Sequence, residues 1–266
     1  MPERPALIGV PYDASSSFLR GAAGGPRAIR EALASPAGNP YTEALVRVVP
    51  GETFDDLGDL TLPPGPDTRA IIEDAIHALA LAGRPFLALG GDHSITYPIL
   101  RGLAPSQPHL TILQIDAHPD LYDEFEGDRY SHACPFARIM EERLCAGLVQ
   151  VGIRAMTAHG RDQARRFGVE QIDMRAWIAG ARPEITGPWY LSLDLDGIDP
   201  AFAPGVAHRE PGGLSVREVL SLIESQPGQL VAADVVELNP SQDPGGVTAT
   251  VAAKLVKELV GRWLAL

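Results

Sequence analysis

An α/β fold with a mainly parallel sheet and helices on both faces is predicted by three features of this 266-residue chain. Short apolar runs alternate with stretches of helical periodicity throughout the sequence. Several of those runs are apolar almost throughout rather than alternating, as strands buried on both faces require. Acidic and imidazole side chains recur just beyond the runs, where ligands of open α/β sheets bind.

In chain order, strands are expected at 7–10, 46–50, 86–89, 110–115, 148–153, 190–193 and 230–235, with a weaker one at 169–172, roughly eight in all. Helical patterns fall between them at 26–33, 67–82, 96–103, 135–144, 216–225 and 248–264. This βα alternation winds helices onto both faces of one sheet. Proline and glycine gather at 35–40 and 61–66 and read as loops, not linkers, so residues 1–266 are taken as a single domain.

Composition narrows the function. The formal charge of −12 disfavours nucleic acid and anionic membranes and favours small cationic partners. No apolar run approaches the ~18 residues needed to span a bilayer. Met1-Pro2-Glu3-Arg4-Pro5 leads into the apolar run from Ala6 without a signal-peptide core. Only Cys134 and Cys145 are present, so no disulfide framework forms and a reducing compartment fits. A cytoplasmic protein is the resulting expectation.

Five short motifs carry the chemistry: Gly90-Gly91-Asp92-His93-Ser94, Asp116-Ala117-His118-Pro119-Asp120, Ser131-His132, Asp194-Leu195-Asp196 and Asp234-Val235-Val236-Glu237. Asp116, His118 and Asp120 are spaced i, i+2, i+4, which puts them on one face of an extended segment. Asp194 and Asp196 repeat the i, i+2 spacing, and His93 follows a strand through a Gly-Gly turn. Singly, each has an ordinary reading; Asp92, for example, suits a helix cap. Jointly, four carboxylates and two imidazoles at strand ends could hold two divalent ions with a shared carboxylate. Hard oxygen donors with a few imidazoles suit Mn²⁺ best, with Co²⁺, Ni²⁺, Fe²⁺ or Zn²⁺ as alternatives. Water between two ions roughly 3.5–4 Å apart would ionise near neutral pH and become a nucleophile.

The stretches Gly-Gly-Asp-His-Ser at 90–94, Asp-Ala-His-Pro-Asp at 116–120 and Ser-Leu-Asp-Leu-Asp-Gly-Ile-Asp-Pro at 192–200 resemble the signatures of the ureohydrolases, the arginase and agmatinase family. The likeness runs from Gly9-Val10-Pro11 to Ala252-Ala253-Lys254-Leu255-Val256. It implies a three-layer α/β/α sandwich, two Mn²⁺ per subunit, a trimer or hexamer, and hydrolysis of a guanidino group to urea and an amine. Carried over by position, His93, Asp116, Asp120 and Asp194 would hold one metal. Asp116, His118, Asp194 and Asp196 would hold the other. The resemblance gives Glu237 the guanidinium and His132 a place beside the site as proton shuttle or substrate contact. Asp120 or Asp196 could relay a proton to the leaving amine.

Substrate choice rests on two departures from the usual agmatinase and arginase wording: Gly205-Val206-Ala207-His208-Arg209-Glu210 and the stretch Tyr122 to Tyr130. Both, with Ser15-Ser16-Ser17-Phe18-Leu19, resemble the plant-type arginases. An arginine enzyme should offer the substrate carboxylate a donor. His208 and Arg209 are the substrate-binding candidates, with Arg129, Arg20 and the Ser15–Ser17 hydroxyls behind them. An agmatine enzyme would present acids instead, and Asp123, Glu124, Glu126 and Asp128 are available. Formiminoglutamate or another guanidino acid is a further alternative. A thiol hydrolase built on Cys134 near His132 would be indifferent to chelator, and a silent binding protein would hold metal yet release no urea.

Overall fold

The computed structural model describes residues 3–63, 65 and 67–265. Met1 and Pro2 of the opening segment, and two prolines of the 61–66 loop, lie outside them. The elements run β1 Ala6–Val10, α1 Gly25–Leu33, β2 Asp55–Asp59, α2 Asp67–Leu81, β3 Phe86–Gly90, α3 Thr96–Leu103, β4 Thr111–Ile115 and α4 Pro135–Glu141. They continue as β5 Gly147–Val151, α5 Ala158–Phe167, β6 Glu170–Ile172, α6 Met174–Ile178, β7 Trp189–Asp194, α7 Val216–Ser225, β8 Leu230–Val236 and α8 Val247–Leu264.

The eight strands form one sheet in the order β2-β1-β3-β8-β7-β4-β5-β6. Every pairing is parallel. Side chains alternate across it. Leu87, Leu89, Leu113, Leu191 and Leu193 meet α1, α7 and α8 on one face, while Phe86, Ala88, Ile112, Tyr190 and Ala232 meet α2, α3 and α4 on the other. Two cores sandwiching one sheet explain why the central strands read as mainly apolar runs and not as alternating ones. No described helix is long and apolar enough to cross a membrane.

One expected strand is corrected. Residues 46–50 join no strand and make only isolated bridges, Tyr41 with Arg47 and Pro50 with Phe54. The edge strand is β2, whose sequence is Asp-Asp-Leu-Gly-Asp. Its acids are matched by arginines: Arg30 reaches Asp56 and Asp59, and Arg4 and Arg84 reach Asp55. A charged edge resists pairing with another sheet, and such a strand has no apolar signature to find. Helices α5 and α6 were likewise absent from the periodicity. α5 carries little apolar surface and is defined by its ends, a Thr157 cap bonded to Gly160 N and a left-handed Gly168.

Candidate metal centre

The four strands that precede the chemical motifs, β3, β8, β7 and β4, lie side by side at the centre of the sheet. Their carboxyl ends therefore converge. β3 turns through Gly90 and Gly91 to His93; a Cβ on Gly91 would sit on the Tyr12 carbonyl, so only glycine fits. Asp92 accepts from Ser94 N at 3.1 Å and Ser15 N at 2.9 Å, which makes it a cap and loop anchor. Asp120 and Glu237 both take left-handed backbone conformations, with φ of 49° and 66°. Non-glycine residues hold such angles at a cost of ~1–3 kcal/mol, a strain that gathers at functional sites.

Two overlapping clusters result. His93 Nδ1 lies 3.2 Å from Asp116 Oδ2, 3.0 Å from Asp120 Oδ2 and 3.2 Å from Asp194 Oδ2. His118 Nδ1 lies 3.0 Å from Asp196 Oδ2 and 3.6 Å from Asp116 Oδ1. Asp116 thus turns one oxygen to each cluster. Asp194 Oδ1 accepts from Asp196 N at 2.7 Å and Asp196 Oδ1 from Ala117 N at 3.1 Å, so the backbone fixes these carboxylates in place.

The donor set fits divalent ions on a specific observation. Ser192 donates to Asp234 Oδ1 at 2.8 Å, so its oxygen is left to accept from His93 Nε2 at 2.9 Å. With the Nε2 proton so placed, a neutral ring turns its Nδ1 lone pair toward three carboxylate oxygens. Nδ1 is buried and has no hydrogen-bond partner. A lone pair and three anionic oxygens around one point call for a cation. Separations of this size are also the cis edges of a coordination shell with ligands ~2.1 Å from an ion.

The electrostatics show the same demand for positive charge. Burial opposes a charged His93, but hydrogen bonds to Asp116, Asp120 and Asp194 outweigh it and raise its pKa well above the imidazole range. In metal-free protein a proton on Nδ1 thus stands where the cation would. Burial and then the charges of Asp196 and Asp116 push Asp194 well above the carboxylate range. Burial and the charge of Asp116 lift Asp120 to about 6. Burial would raise Asp116 too, but hydrogen bonds to His118 and His93 hold it down. Four crowded carboxylates disfavour one another until positive charge arrives.

Beside them, Glu237 Oε1 accepts from His93 N at 2.9 Å and lies 3.3 Å from His132 Nδ1. Burial opposes its charge, yet His132 keeps its pKa lowered. Burial opposes the charged form of His132 as well, but Glu237 outweighs it and raises that pKa to about 9. His132 Nε2 is 2.9 Å from Ser17 Oγ.

A cavity of about 290 Å³ opens on these groups, with Asp120, Asp194, Asp196, His118, His132 and Glu237 at its floor and Ser17, Tyr122, Phe125, Thr157 and His208 in its wall. The His208 ring sits 5.2 Å from that of His132 and 5.9 Å from that of His118. Arg209 is not brought here. Its guanidinium donates to the Pro204 and Gln242 carbonyls over a separate hollow, and those bonds hold it away from the cavity. Cys134 is buried and its thiol is pushed up to about 12 by burial, which removes it as a nucleophile. A larger hollow of about 470 Å³ over α1 holds none of the motif residues.

Sequence reasoning overlooked three kinds of support. Asp234 accepts from Tyr190 and Thr96 hydroxyls at 2.7 Å besides Ser192, fixing the group that orients His93. Arg154 donates to the carbonyls of Gly152, Asp196, Gly197 and Glu210, pinning the Asp196 loop. Gln114 donates to Asp116 Oδ2 at 2.7 Å. For Asp234 and Gln114 the available signal is a polar residue inside an apolar strand; Arg154, just beyond β5, carries no such signal.

A family model described as Arginase family matches residues 3–261. The chain is 43% identical to Arginase 1, mitochondrial, of Oryza sativa subsp. indica, over 96% of this chain and 80% of that protein. It is 42% identical to Arginase 2, chloroplastic/mitochondrial, of Arabidopsis thaliana, over 97% and 80%. Among solved structures, an arginase from Medicago truncatula superposes with a TM-score of 0.91 at 38% identity, covering 98% of this chain and 87% of that one. The expectation of a cytoplasmic protein does not stand, because these relatives are named for mitochondria and chloroplasts. Few cysteines and an acidic balance suit any reducing compartment and never singled out the cytoplasm.

Proposed function

Because the chain belongs to the arginase family, we propose that its cavity binds L-arginine and hydrolyses the guanidino C–N bond to give urea and L-ornithine. The chain is a ureohydrolase. The observation that carries the reading is the pair of His/Asp clusters sharing Asp116, with the Glu237 carboxylate beside them.

His93, Asp116, Asp120 and Asp194 would hold one divalent ion, and Asp116, His118, Asp194 and Asp196 the other. Mn²⁺ is the proposed metal, since oxygen donors outnumber imidazoles. Bound there, the ions would supply a water ionised near neutral pH. The chain's residues do the rest. Glu237 takes the guanidinium through charge-assisted hydrogen bonds and turns its carbon toward the clusters. Asp120 or Asp196 carries a proton to the leaving amine. His132, between Glu237 and Ser17 at the cavity floor, exchanges protons with solvent.

The outer wall supports arginine over agmatine. Ser17, Tyr122, Thr157 and His208 can donate to a substrate carboxylate, and no acid lines that part of the cavity. Asp123 is engaged by Gln163 at 2.8 Å and Asp128 accepts from Tyr130 N, and although Phe125 of the same loop lines the cavity, Asp123, Glu124, Glu126 and Asp128 do not. Urea release from L-arginine and agmatine side by side tests this. Arginine is expected to be favoured by at least ~10-fold in kcat/KM, since these donors are exposed or half-buried and a hydrogen bond to a charged group contributes ~1.5–3 kcal/mol. A preference for agmatine would overturn the substrate assignment. The proposal also takes residues 1–266 as one domain and the protein as a homo-oligomer, a trimer or hexamer, which light scattering would read.

The His132–Glu237 pair has a pH signature in chelated protein. Its folded pKa of about 9 exceeds the ordinary value of ~6.5, so the stabilisation is complete below ~6.5 and is lost as pH rises through about 9. Between those limits the wild-type Tm should fall a few degrees further than that of His132→Asn. Parallel curves would show that the pair contributes nothing.

A further inference from the structure

We propose that Gln114 and Gln150 are positioning residues for the metal pair, the inner members of a row of glutamine amides that crosses β6, β5 and β4 and fixes the Asp116 carboxylate; this rests on the metal reading given above. Gln114 lies opposite Gln150, and Gln150 opposite Gln171, in the sheet register. Gln171 Nε2 donates to Gln150 Oε1 at 2.6 Å. Gln150 Nε2 donates to Gln114 Oε1 at 2.6 Å and to the Pro119 carbonyl at 2.7 Å. Gln114 Nε2 donates to Asp116 Oδ2 at 2.7 Å and to the His118 carbonyl at 3.2 Å.

The row has only one direction. Asp116 and the His118 carbonyl are acceptors, so the Gln114 NH₂ must face them and its oxygen must face Gln150. The Pro119 carbonyl imposes the same choice on Gln150. Each amide is therefore oriented from both sides, and the last donor points at the metal centre. Gln114 and Gln150 are wholly buried in otherwise apolar strands. Unpaired amides there would cost several kcal/mol, so their placement calls for a reason.

The reason is geometric. The oxygen Gln114 holds is the one turned to His93, while Oδ1, held by His118 N at 2.6 Å, is turned to His118. Two donors on two oxygens set the carboxylate's rotation, so that it serves both clusters. The same sheet level continues in register from Gln114 to Ser192 and Asp234, the pair that orients His93. The loop bearing His118 and Asp120 is tied down by the same amides through its carbonyls. One polar rung thus sets a ligand of each cluster.

The test is Mn²⁺ affinity by chelator competition, with the Tm of metal-free protein alongside. Gln114→Leu should weaken binding about tenfold to hundredfold, the usual effect of removing a group that orients a ligand. Gln150→Leu should weaken it less, and the double variant should lose less than the sum of the two, because Gln150 acts partly through Gln114 and partly through the Pro119 carbonyl. Unchanged affinity in folded Gln114→Leu, or simple additivity of the two, would overturn the proposal even if Tm falls. Should Gln114→Leu fail to fold, Gln171→Leu at the half-buried outer end must still weaken binding by roughly twofold or more, and unaltered affinity there overturns it. Absence of Mn²⁺ binding by the parent protein would instead overturn the metal reading beneath it.

Discussion

Asp116→Ala is expected to strip both ions from the protein and abolish urea formation. Among the described residues Asp116 is the one carboxylate with an oxygen toward each imidazole, at 3.2 Å from His93 and 3.6 Å from His118. Removing it takes a ligand from both positions and the donor target from Gln114 and His118 N. A fall of at least ~1000-fold in turnover, on the order of 4 kcal/mol of barrier, should accompany loss of metal. Misfolding is separated by a companion, Asp194→Asn. Asp194 is held well above the carboxylate range, so its ionised form burdens the metal-free fold, and the amide should leave Tm equal or higher. It should nevertheless lower metal content. Stoichiometric metal with full turnover in either variant would refute the shared-ligand assignment.

Glu237→Gln is expected to keep both ions and lose the substrate. Glu237 lies outside the two clusters, and its nearest polar neighbours are His93 N and His132. An amide of the same shape can still accept from His93 N but has no charge to offer a guanidinium. Breaking one partner of a buried charge pair costs ~2–5 kcal/mol, so kcat/KM should drop by two to three orders of magnitude or more. The loss should be largest in KM if Glu237 serves binding, and should extend to kcat if it also aims the carbon at the nucleophile. Undiminished affinity for arginine would remove Glu237 from the substrate site.

Much of this was legible in the sequence because the chemistry sits where strands end. Mainly apolar runs at 86–89, 110–115, 190–193 and 230–235 each deliver a motif, and the topology makes those strands neighbours. What escaped was whatever depends on register or on facing. Ser192, Asp234 and Gln114 form a rung only once β4, β7 and β8 are aligned. His208 and Arg209 look equally eligible in the sequence, yet one lines the cavity and the other turns to the Gln242 carbonyl. The apolar residues at 46–50 suggest a strand that does not form, while the true edge strand β2 is acidic, has no apolar signature and owes its place to arginines from α1 and the β3 approach.

The most direct measurement is urea released from L-arginine by chelated, then dialysed protein as Mn²⁺ is added back. No urea before addition, and a rate that rises and saturates at two ions per chain, is the expected result. Urea formed without metal, or a rate that saturates at one ion, would contradict a paired centre sharing Asp116.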